Sequence, residues 1–293
     1  MTENLDKFYT NPDIVEMCLG YLQDTIPMNT FDFVLEPSAG NGSFFHKIDH
    51  PNKLGIDISP ESDSIFEQDF LEFTQEVKYE NILVVGNPPF GRVSSLAIKF
   101  FNHAATFANV IAFIVPRTFR RTSVMNRLNF NFDLILDIEI PTEPCSFTPK
   151  MLSKCCFQIW QRSEIVRSKI NLPTVHHDFQ FVKHGPVDEL GQPTPPIEPV
   201  DFVIRAYGHK CGEILTEGFE VLRPKSWHWI KCTEGLPVDI ILERFKSLDY
   251  TLSLDTARQN SIGKADLVQL YHNNFYWDLS VAKIEINFYC FYV

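Results

Sequence analysis

Two short segments of the sequence carry residues that could do chemistry, and each follows a predicted β-strand. The first, Glu36-Pro37-Ser38-Ala39-Gly40-Asn41-Gly42, has glycines that let the backbone approach a ligand closely. It lacks the Lys-Ser/Thr pair of a phosphate-binding loop after Gly42. Asp57 ends the next predicted strand, where a carboxylate can accept both hydrogen bonds of a ribose diol. Taken alone, the glycines could form a tight turn and Asp57 could cap a helix.

The second segment, Asn87-Pro88-Pro89-Phe90, ends the fourth predicted strand. Two consecutive prolines fix the backbone and hold the Asn87 side chain and a nearby carbonyl group rigidly outward. The ring of Phe90 offers a stacking face for a planar substrate. Such a tetrapeptide can be a plain strand-ending turn, but its place behind a glycine loop favours an active site.

Together these segments resemble the class I S-adenosylmethionine-dependent methyltransferases that act on planar amino groups, above all the N6-adenine methyltransferases. The resemblance covers about residues 8–162 and includes Phe8-Tyr9-Thr10-Asn11-Pro12, which is similar to the family's N-terminal cofactor motif. That motif precedes the glycine loop and the expected recognition region comes last, as in the gamma order of the DNA enzymes. Residues 201–293 lie outside the resemblance.

The resemblance implies S-adenosylmethionine as the cofactor and assigns residues to it by position. The glycine loop with Gly42 would cradle the cofactor. The methionine moiety would be held by Thr10, Glu36, Ala39 and Gly40, the ribose by Asp57, the faces of the adenine by Ile58 and Phe70, and its amino group by Asp69.

The expected reaction is methyl transfer to the exocyclic N6 amine of adenine in nucleic acid, with DNA slightly favoured over RNA. An aromatic amine is a poor nucleophile because its lone pair is delocalised into the ring. The side-chain oxygen of Asn87 and the carbonyl of Pro88 could accept both amine hydrogens and turn the lone pair toward the methyl group. Because Asn87 has no useful basicity, no general base is assigned. In duplex DNA the base must also be flipped out of the stack.

Other substrates and roles stay open. Protein glutamine is an alternative, because Asn-Pro-Pro-aromatic also serves enzymes that modify release factors, although those usually carry an N-terminal extra domain. A catalytically silent methyltransferase fold that serves as a binding partner is another alternative, but such proteins tend to lose the motifs that are intact here. A cytosine C5-methyltransferase is disfavoured, because Pro144-Cys145 follows the sixth predicted strand and not the fourth.

The elements that must position these residues form an alternating pattern over residues 1 to about 168, which predicts a doubly wound α/β sheet. The seven predicted strands are Phe31–Glu36, Lys53–Asp57, Ser64–Asp69, Asn81–Gly86, Asn109–Val115, Phe132–Ile138 and Lys154–Gln161. The predicted helices are Pro12–Leu22, Ser43–Ile48, Phe70–Val77, Ser94–Phe107 and Thr118–Leu128. Only a Pro-rich connection separates the last two strands, so the seventh is expected to run antiparallel.

The predicted organisation is a catalytic, cofactor-binding domain over residues 1–183, a Pro-rich linker over 184–200, and a small α+β domain over 201–293 that selects the substrate. The last domain has predicted strands at Asp201–Tyr207 and Ser226–Cys232, helices at Val238–Leu248 and Lys264–His272, and a strand-like end at Ile284–Val293. Trp227 and Trp229 share one face of a strand, where they could stack on a base or pack in the core.

The net charge of -11 argues mildly against nucleic acid as a partner, since phosphate binding needs clustered Lys and Arg. One local basic cluster, Pro116–Arg127, follows the fifth predicted strand and so lies at the edge of the sheet that carries Asn87. Its Arg117, Arg120 and Arg121 are predicted to contact nucleic-acid phosphates. The alternative is a solvated start of a helix.

The 7 cysteines are odd in number and include no Cys-x-x-Cys pair or zinc-type spacing. Cys155 and Cys156 are predicted to be buried, inert thiols. No metal is expected, because adjacent residues on a strand, as in His176-His177-Asp178, point to opposite faces. No signal peptide or membrane span is visible in the sequence, so the protein is expected inside a cell, in the cytoplasm or the nucleus.

Overall fold

The chain divides into two units, Met1–Ile170 and Asn171–Val293. The computed structural model describes residues 7–75 and 78–276. The strand predicted at the end of the chain lies outside the described residues, as does the end of the helix predicted over Phe70–Val77.

The first unit alternates strands and helices in the expected way. In chain order its elements are β1 (Tyr9–Thr10), α1 (Pro12–Thr25), β2 (Phe33–Glu36), β3 (Lys53–Asp57), β4 (Phe66–Glu67), β5 (Ile82–Gly86), α2 (Ser95–Ala104), β6 (Val110–Pro116), α3 (Thr122–Met125), β7 (Phe132–Glu139), β8 (Phe147–Thr148) and β9 (Cys155–Arg162).

Seven of these strands form one sheet, in the order β4-β3-β2-β5-β6-β9-β7. The pairs from β4 through β6 are parallel, whereas β9 runs antiparallel to both β6 and β7. The short connection from β7 to β9 contains no described helix, so β9 returns beside β7 like the second arm of a hairpin. This mixed, doubly wound sheet is that of the class I methyltransferases, and it confirms the predicted fold class and the antiparallel seventh strand.

Apolar layers cover both faces of this sheet. On one face α1 packs against alternate residues of the central strands, such as Val34 and Leu83. On the other face α2 packs against the residues between them, such as Leu35 and Val84. Strands that are buried on both faces must be apolar throughout, and every residue of β5 and β6 is buried. This is why continuous apolar runs located the central strands in the sequence.

Three predicted helices are corrected by the structure. Residues 43–48 form turns and not a regular helix. The N–H of Phe45 donates a hydrogen bond to the Glu36 carboxylate, and the Lys53 ammonium donates to the carbonyl groups of Phe45 and Ile48, so these backbone groups are bonded to side chains. A single 3-10 turn, Phe70–Glu72, replaces the described part of the third helix. The segment predicted as Thr118–Leu128 contains a 3-10 turn and the four-residue α3, which the extended backbone of Arg121 separates.

The second unit is a smaller α+β structure. Its elements are β10 (Phe179–Phe181), β11 (Phe202–Arg205), β12 (Ile214–Leu215), β13 (Trp227–Cys232), α4 (Val238–Lys246) and α5 (Lys264–Phe275). The strands form an antiparallel sheet in the order β10-β13-β11-β12. Residues of both helices share an apolar cluster with one face of the sheet, for example Phe245 and Tyr271 with Phe202.

The boundary between the units lies earlier than the sequence predicted. Residues 171–183 belong to the second unit, because β10 pairs with β13. The Pro-rich segment 184–200 therefore lies inside this unit, between β10 and β11, and not between two domains. It folds back on itself, with the N–H of Gly185 donating to the carbonyl of Thr194 and a bridge between Val187 and Pro193.

Two expectations about side chains of the second unit also change. Trp227 and Trp229 are buried in an apolar cluster with Val203, so they pack in the core and offer no face to a base. His176 and His177 lie before β10, so their side chains do not have to point to opposite faces of a strand. Their rings stack on each other, with 4.4 Å between the ring centroids.

Asp178, the third member of this group, is buried and anchors the unit. Its carboxylate accepts hydrogen bonds from the hydroxyl groups of Tyr271 and Tyr276 and from Arg244. A potential metal-ligating atom on each of His176, His177 and Asp178 lies within 4.8 Å of the others. The Asp178 carboxylate is already bonded by neutral and cationic donors, so this side chain acts as a structural anchor.

A buried histidine gives this unit an expected acid sensitivity. The Nε2–H of His228 donates to the carbonyl of Ile262 at 2.8 Å, and burial lowers the pKa of His228 to about 4. An unfolded histidine takes up its proton near pH 6.5, roughly, so the unfolded chain binds more protons between these values. The free energy of unfolding should therefore fall by about 3 kcal/mol through this group as the pH drops from 6.5 to 4.

Urea unfolding of the full chain at several pH values measures this loss. His228→Gln should flatten the pH dependence in that window, whereas His209→Gln, at an exposed position, should leave it unchanged. Equal slopes for wild type and His228→Gln would contradict the assignment.

Candidate active site

The predicted site residues meet at one edge of the first unit's sheet. β2, β3 and β5 are parallel neighbours, so their carboxyl ends face the same side. Glu36 ends β2, Asp57 ends β3, and Asn87 directly follows β5. The structure therefore brings together the three side chains that the sequence places far apart.

Asp57 holds the glycine loop in place. Its Oδ2 accepts a hydrogen bond of 2.8 Å from the N–H of Gly40, and its Oδ1 accepts one of 2.8 Å from the N–H of Ser59. A carboxylate has about four acceptor positions, so both oxygens retain capacity for a ligand. The next side chain, Ile58, is 51% exposed and presents apolar surface beside the carboxylate.

Glu36 is an almost fully buried carboxyl group, with 2% of the residue exposed. Its Oε2 accepts a hydrogen bond of 2.6 Å from the N–H of Phe45. Burial raises the pKa of Glu36 to about 8, with a smaller contribution from the charge of Asp57, so the group is mostly protonated at neutral pH. A Cβ atom on Gly86 would lie 3.2 Å from the Cγ of Glu36, so a side chain there would crowd the carboxyl group.

The side-chain nitrogen of Asn87 is hydrogen-bonded, whereas its side-chain oxygen is not. Its Nδ2 donates to the carbonyl of Phe8 at 3.4 Å and to the hydroxyl of Thr10 at 3.3 Å. Its backbone carbonyl accepts from the hydroxyl of Ser38 at 3.2 Å. Its Oδ1 is buried and has no hydrogen-bond partner among the described residues. Such an unpaired acceptor costs about 1–3 kcal/mol, so this oxygen has the capacity to accept a hydrogen bond from a ligand.

The prolines and the aromatic residue of the motif continue this edge. Pro88 is buried, Pro89 is exposed and Phe90 is partly buried. The ring of Phe90 packs against both apolar layers, and its carbonyl accepts from the N–H of Leu96 at 3.1 Å. The core therefore fixes the orientation of the ring.

Three further residues surround the glycine loop, and sequence reasoning did not select them. The ring of Tyr9 lies over Gly40, where a Cβ atom would be 3.1 Å from it. The Tyr9 hydroxyl and the Lys7 ammonium both bond to the carboxylate of Glu61, whose own N–H donates to the Gly40 carbonyl. Burial and Glu61 raise the pKa of Tyr9 to about 12. In the sequence, the only indication that these residues surround the glycine loop is that Tyr9 is adjacent to Thr10.

Two predicted cofactor residues lie in other environments. Asp69 accepts a hydrogen bond from the N–H of Leu71 and so caps the short helical turn that follows it. The ring of Phe70 is 1% exposed and packs among Phe73, Phe100 and Phe107. The structure therefore assigns this ring to the core and not to an exposed face beside a ligand.

The arginines of the predicted phosphate patch are not free cations. Arg120 bonds to both oxygens of Asp137, at 3.1 and 3.0 Å from its Nε, and also to Glu139. Arg117 pairs with Glu139 as well. Arg121 is partly exposed and engaged in interactions of its own. Two of the three charges are thus balanced by carboxylates of β7, which weakens the predicted contact with phosphate.

The two adjacent cysteines of β9 are buried, as the sequence predicted. Cys155 and Cys156 are buried, and burial raises the pKa of Cys155 to about 12. Within residues 7–75 and 78–276, every helix is too short or too polar to cross a lipid bilayer.

The sequence matches no protein-family model and no curated protein. Among solved structures, it is similar to the N-methyltransferase NodS from Bradyrhizobium japonicum, at 14% identity over 53% of this chain and 98% of that one, with a TM-score of 0.38. It is similar to magnesium protoporphyrin IX methyltransferase from Synechocystis, at 13% identity over 52% and 79%, with a TM-score of 0.38. It is also similar to the 23S rRNA methyltransferase ErmE, at 15% identity over 55% and 71%, with a TM-score of 0.37. Likenesses this distant carry no inference about activity or substrate.

The glycine loop makes a stability prediction with an internal control. Gly42 has φ of 85°, which a residue with a Cβ adopts only under strain, so Gly42→Ala should lower the free energy of unfolding by about 1–2 kcal/mol. Gly20 lies on an exposed turn of α1 with open space around it, so Gly20→Ala should raise it by about 0.5–1 kcal/mol. Urea unfolding of both variants tests the pair, and changes of the same sign would contradict the loop geometry.

Proposed function

We propose that this protein is an S-adenosylmethionine-dependent methyltransferase that modifies the exocyclic N6 amine of adenine in nucleic acid. The observation that carries the proposal is the Oδ1 of Asn87, a buried and unpaired acceptor beside the glycine loop. Its amide nitrogen is already engaged by Phe8 and Thr10, so the oxygen is the atom left for a substrate. A donor such as an amine N–H would remove the cost of this unpaired group.

The residues at this edge fit the cofactor. When bound, S-adenosylmethionine supplies an electrophilic methyl group on a sulfonium centre. Asp57 keeps acceptor capacity for a ribose diol, and exposed Ile58 offers apolar surface for an adenine ring. Glu36 and the hydroxyl of Thr10 lie where the resemblance expects the methionine moiety. The carboxylate of Asp57 at this edge also favours a ligand with a net positive charge, as the sulfonium cofactor has.

The chain's own residues would act mainly by positioning. Oδ1 of Asn87 and the carbonyl of Pro88 accept the two amine hydrogens and direct the nitrogen lone pair away from the ring plane. The core-packed ring of Phe90 stacks on the base. Because Asn87 is not basic, the proton leaves to water after the transfer. Catalysis of this kind comes from holding two reactants in a productive geometry.

A protein amide is the second candidate substrate, and the arginines favour it. A nucleic-acid enzyme gains affinity from free Lys and Arg near its site, whereas Arg117 and Arg120 are paired with Glu139 and Asp137. The chain also carries a net charge of -11. A glutamine side chain has the same planar, delocalised nitrogen and would use Asn87 in the same way.

Incubation with isotope-labelled cofactor separates these candidates. The substrates are DNA, RNA and a denatured cell protein extract, and mass spectrometry of nucleosides and of peptides locates the label. Label in N6-methyladenosine or its deoxy form supports the proposal. Label in glutamine alone supports the second candidate, and an absence of label in all three supports a catalytically silent binding partner.

Asn87 gives the sharpest test of the mechanism. Asn87→Ala should lower methyl transfer roughly 10²–10³-fold, because one pre-oriented hydrogen-bonding group at the reacting centre is lost. Affinity for S-adenosylhomocysteine, measured by calorimetry, should stay nearly unchanged. Asn87→Asp keeps an acceptor oxygen and should retain part of the activity. Asn29→Ala, at an exposed position before β2, is the control. Transfer at the wild-type rate by Asn87→Ala would refute the mechanism.

The buried carboxyl of Glu36 predicts proton release on cofactor binding. With its pKa near 8, Glu36 is mostly neutral at pH 7, and the ammonium group of a bound methionine or homocysteine moiety would favour the charged form. Affinity for S-adenosylhomocysteine should therefore rise as the pH increases from 6.5 to 8, roughly, and level off above. Calorimetry in two buffers of different ionisation enthalpy measures the released protons. Glu36→Gln should abolish the release, and its persistence in that variant would assign the proton to another group.

A further inference from the structure

The loop that follows the Asn-Pro-Pro-Phe motif has an unusual backbone. Gly91 has a φ of 66°. Val93 and Ser94, which follow after one intervening residue, have φ angles of 52° and 58°. These two are the positive-φ residues other than glycine among the described residues. The left-handed conformation is uncommon for any residue with a Cβ, and for a β-branched residue such as valine it is a genuine outlier.

The surroundings hold this strained loop in place. The hydroxyl of Ser94 is hydrogen-bonded to that of Thr118, at 2.7 Å, which ties the loop to the segment after β6. A Cβ atom on Gly91 would lie 2.8 Å from the Cβ of Leu96, so the loop packs closely on the start of α2. The carbonyl of Phe90 is fixed by Leu96 as well. The conformation is therefore imposed by several contacts at once.

Packing does not account for the valine in this position. Val93 is 74% exposed, so burial of its side chain does not compensate for the backbone strain. Ser94 beside it is buried, and its hydroxyl is hydrogen-bonded. Glycine or asparagine would adopt the same backbone at lower cost. Backbone strain that no packing interaction explains is typical of functional sites.

We propose that Val93 is a substrate-contacting residue that packs its apolar side chain against the nucleotide next to the target adenine. This inference rests on the proposed function and adds a specificity-determining residue to it. Val93 lies three residues after Phe90, on the same edge of the sheet, and the loop presents it toward solvent. A branched apolar side chain has the chemistry to pack against a base or a sugar and to occupy space that an unstacked base leaves.

Two substitutions separate strain from contact. Val93→Asn relieves the strain and removes the apolar surface, because asparagine tolerates the left-handed region. It should raise the Tm by about 2–4 °C and raise the apparent KM for nucleic acid roughly tenfold. Val93→Ala removes the branched side chain but leaves a Cβ atom in the left-handed region, so it should raise the apparent KM with a smaller gain in Tm than Val93→Asn. Val221→Asn, at a valine that is 87% exposed in the second unit, should change neither quantity.

The assay uses the full chain, a random-sequence pool of adenine-containing DNA and RNA oligonucleotides, and labelled cofactor. Calorimetry with S-adenosylhomocysteine should give wild-type affinity for all three variants. A higher Tm with an unchanged KM in Val93→Asn overturns the contact, and an unchanged or lower Tm overturns the strain. A wild-type protein that neither binds nor methylates the pool refutes the proposed function and this inference with it, and that result is visible before any variant is measured.

Discussion

The parallel pairing of β2 with β3 and with β5 is the constraint on which the site depends. Parallel neighbours end at the same edge, so the residues that follow them are brought together however far apart they are in the chain. Glu36, Asp57 and Asn87 are positioned in this way. The pairing is itself stabilised by apolar layers on both faces, which bury all of β2 and β5.

Around this edge the structure keeps several groups in states that a stability-optimised protein would avoid. Glu36 is buried and held mostly uncharged, Oδ1 of Asn87 lacks a partner among the described residues, and Val93 adopts a strained backbone. Each of these costs free energy, and the two extensive apolar layers of the first unit offset the cost. Their position at one edge supports the proposed active site there, independent of the sequence motifs.

The charges set limits on the substrate. Arg117 and Arg120 form ion pairs with Asp137 and Glu139 on β7, so these two charges offer little net attraction to phosphate. Buried side chains in the second unit, including Trp227 and Trp229, likewise build its core. If nucleic acid is the substrate, its recognition depends on contacts near the target base more than on general attraction to phosphate, which is the kind of contact proposed for Val93.

The sequence alone determined the seven strands and the three polar side chains at their ends. For the central strands it could do so because strands buried on both faces are apolar throughout, and a motif directly after such a strand has its place fixed by that strand. The edge strand β4 is a pair of exposed residues, much shorter than the predicted Ser64–Asp69. The tertiary structure decided the rest. The sequence of residues 43–48 predicts a helix, but the side chains of Glu36 and Lys53 form hydrogen bonds with backbone groups of this segment. Phe70, next to a capping aspartate, packs in the core, and the arginines after β6 meet carboxylates 17–22 residues later in the chain. In each case the deciding partner lies outside the predicted element, 5 to 9 residues away for residues 43–48 and 17 to 22 residues away for the arginines, so the periodicity of the element itself does not reveal it.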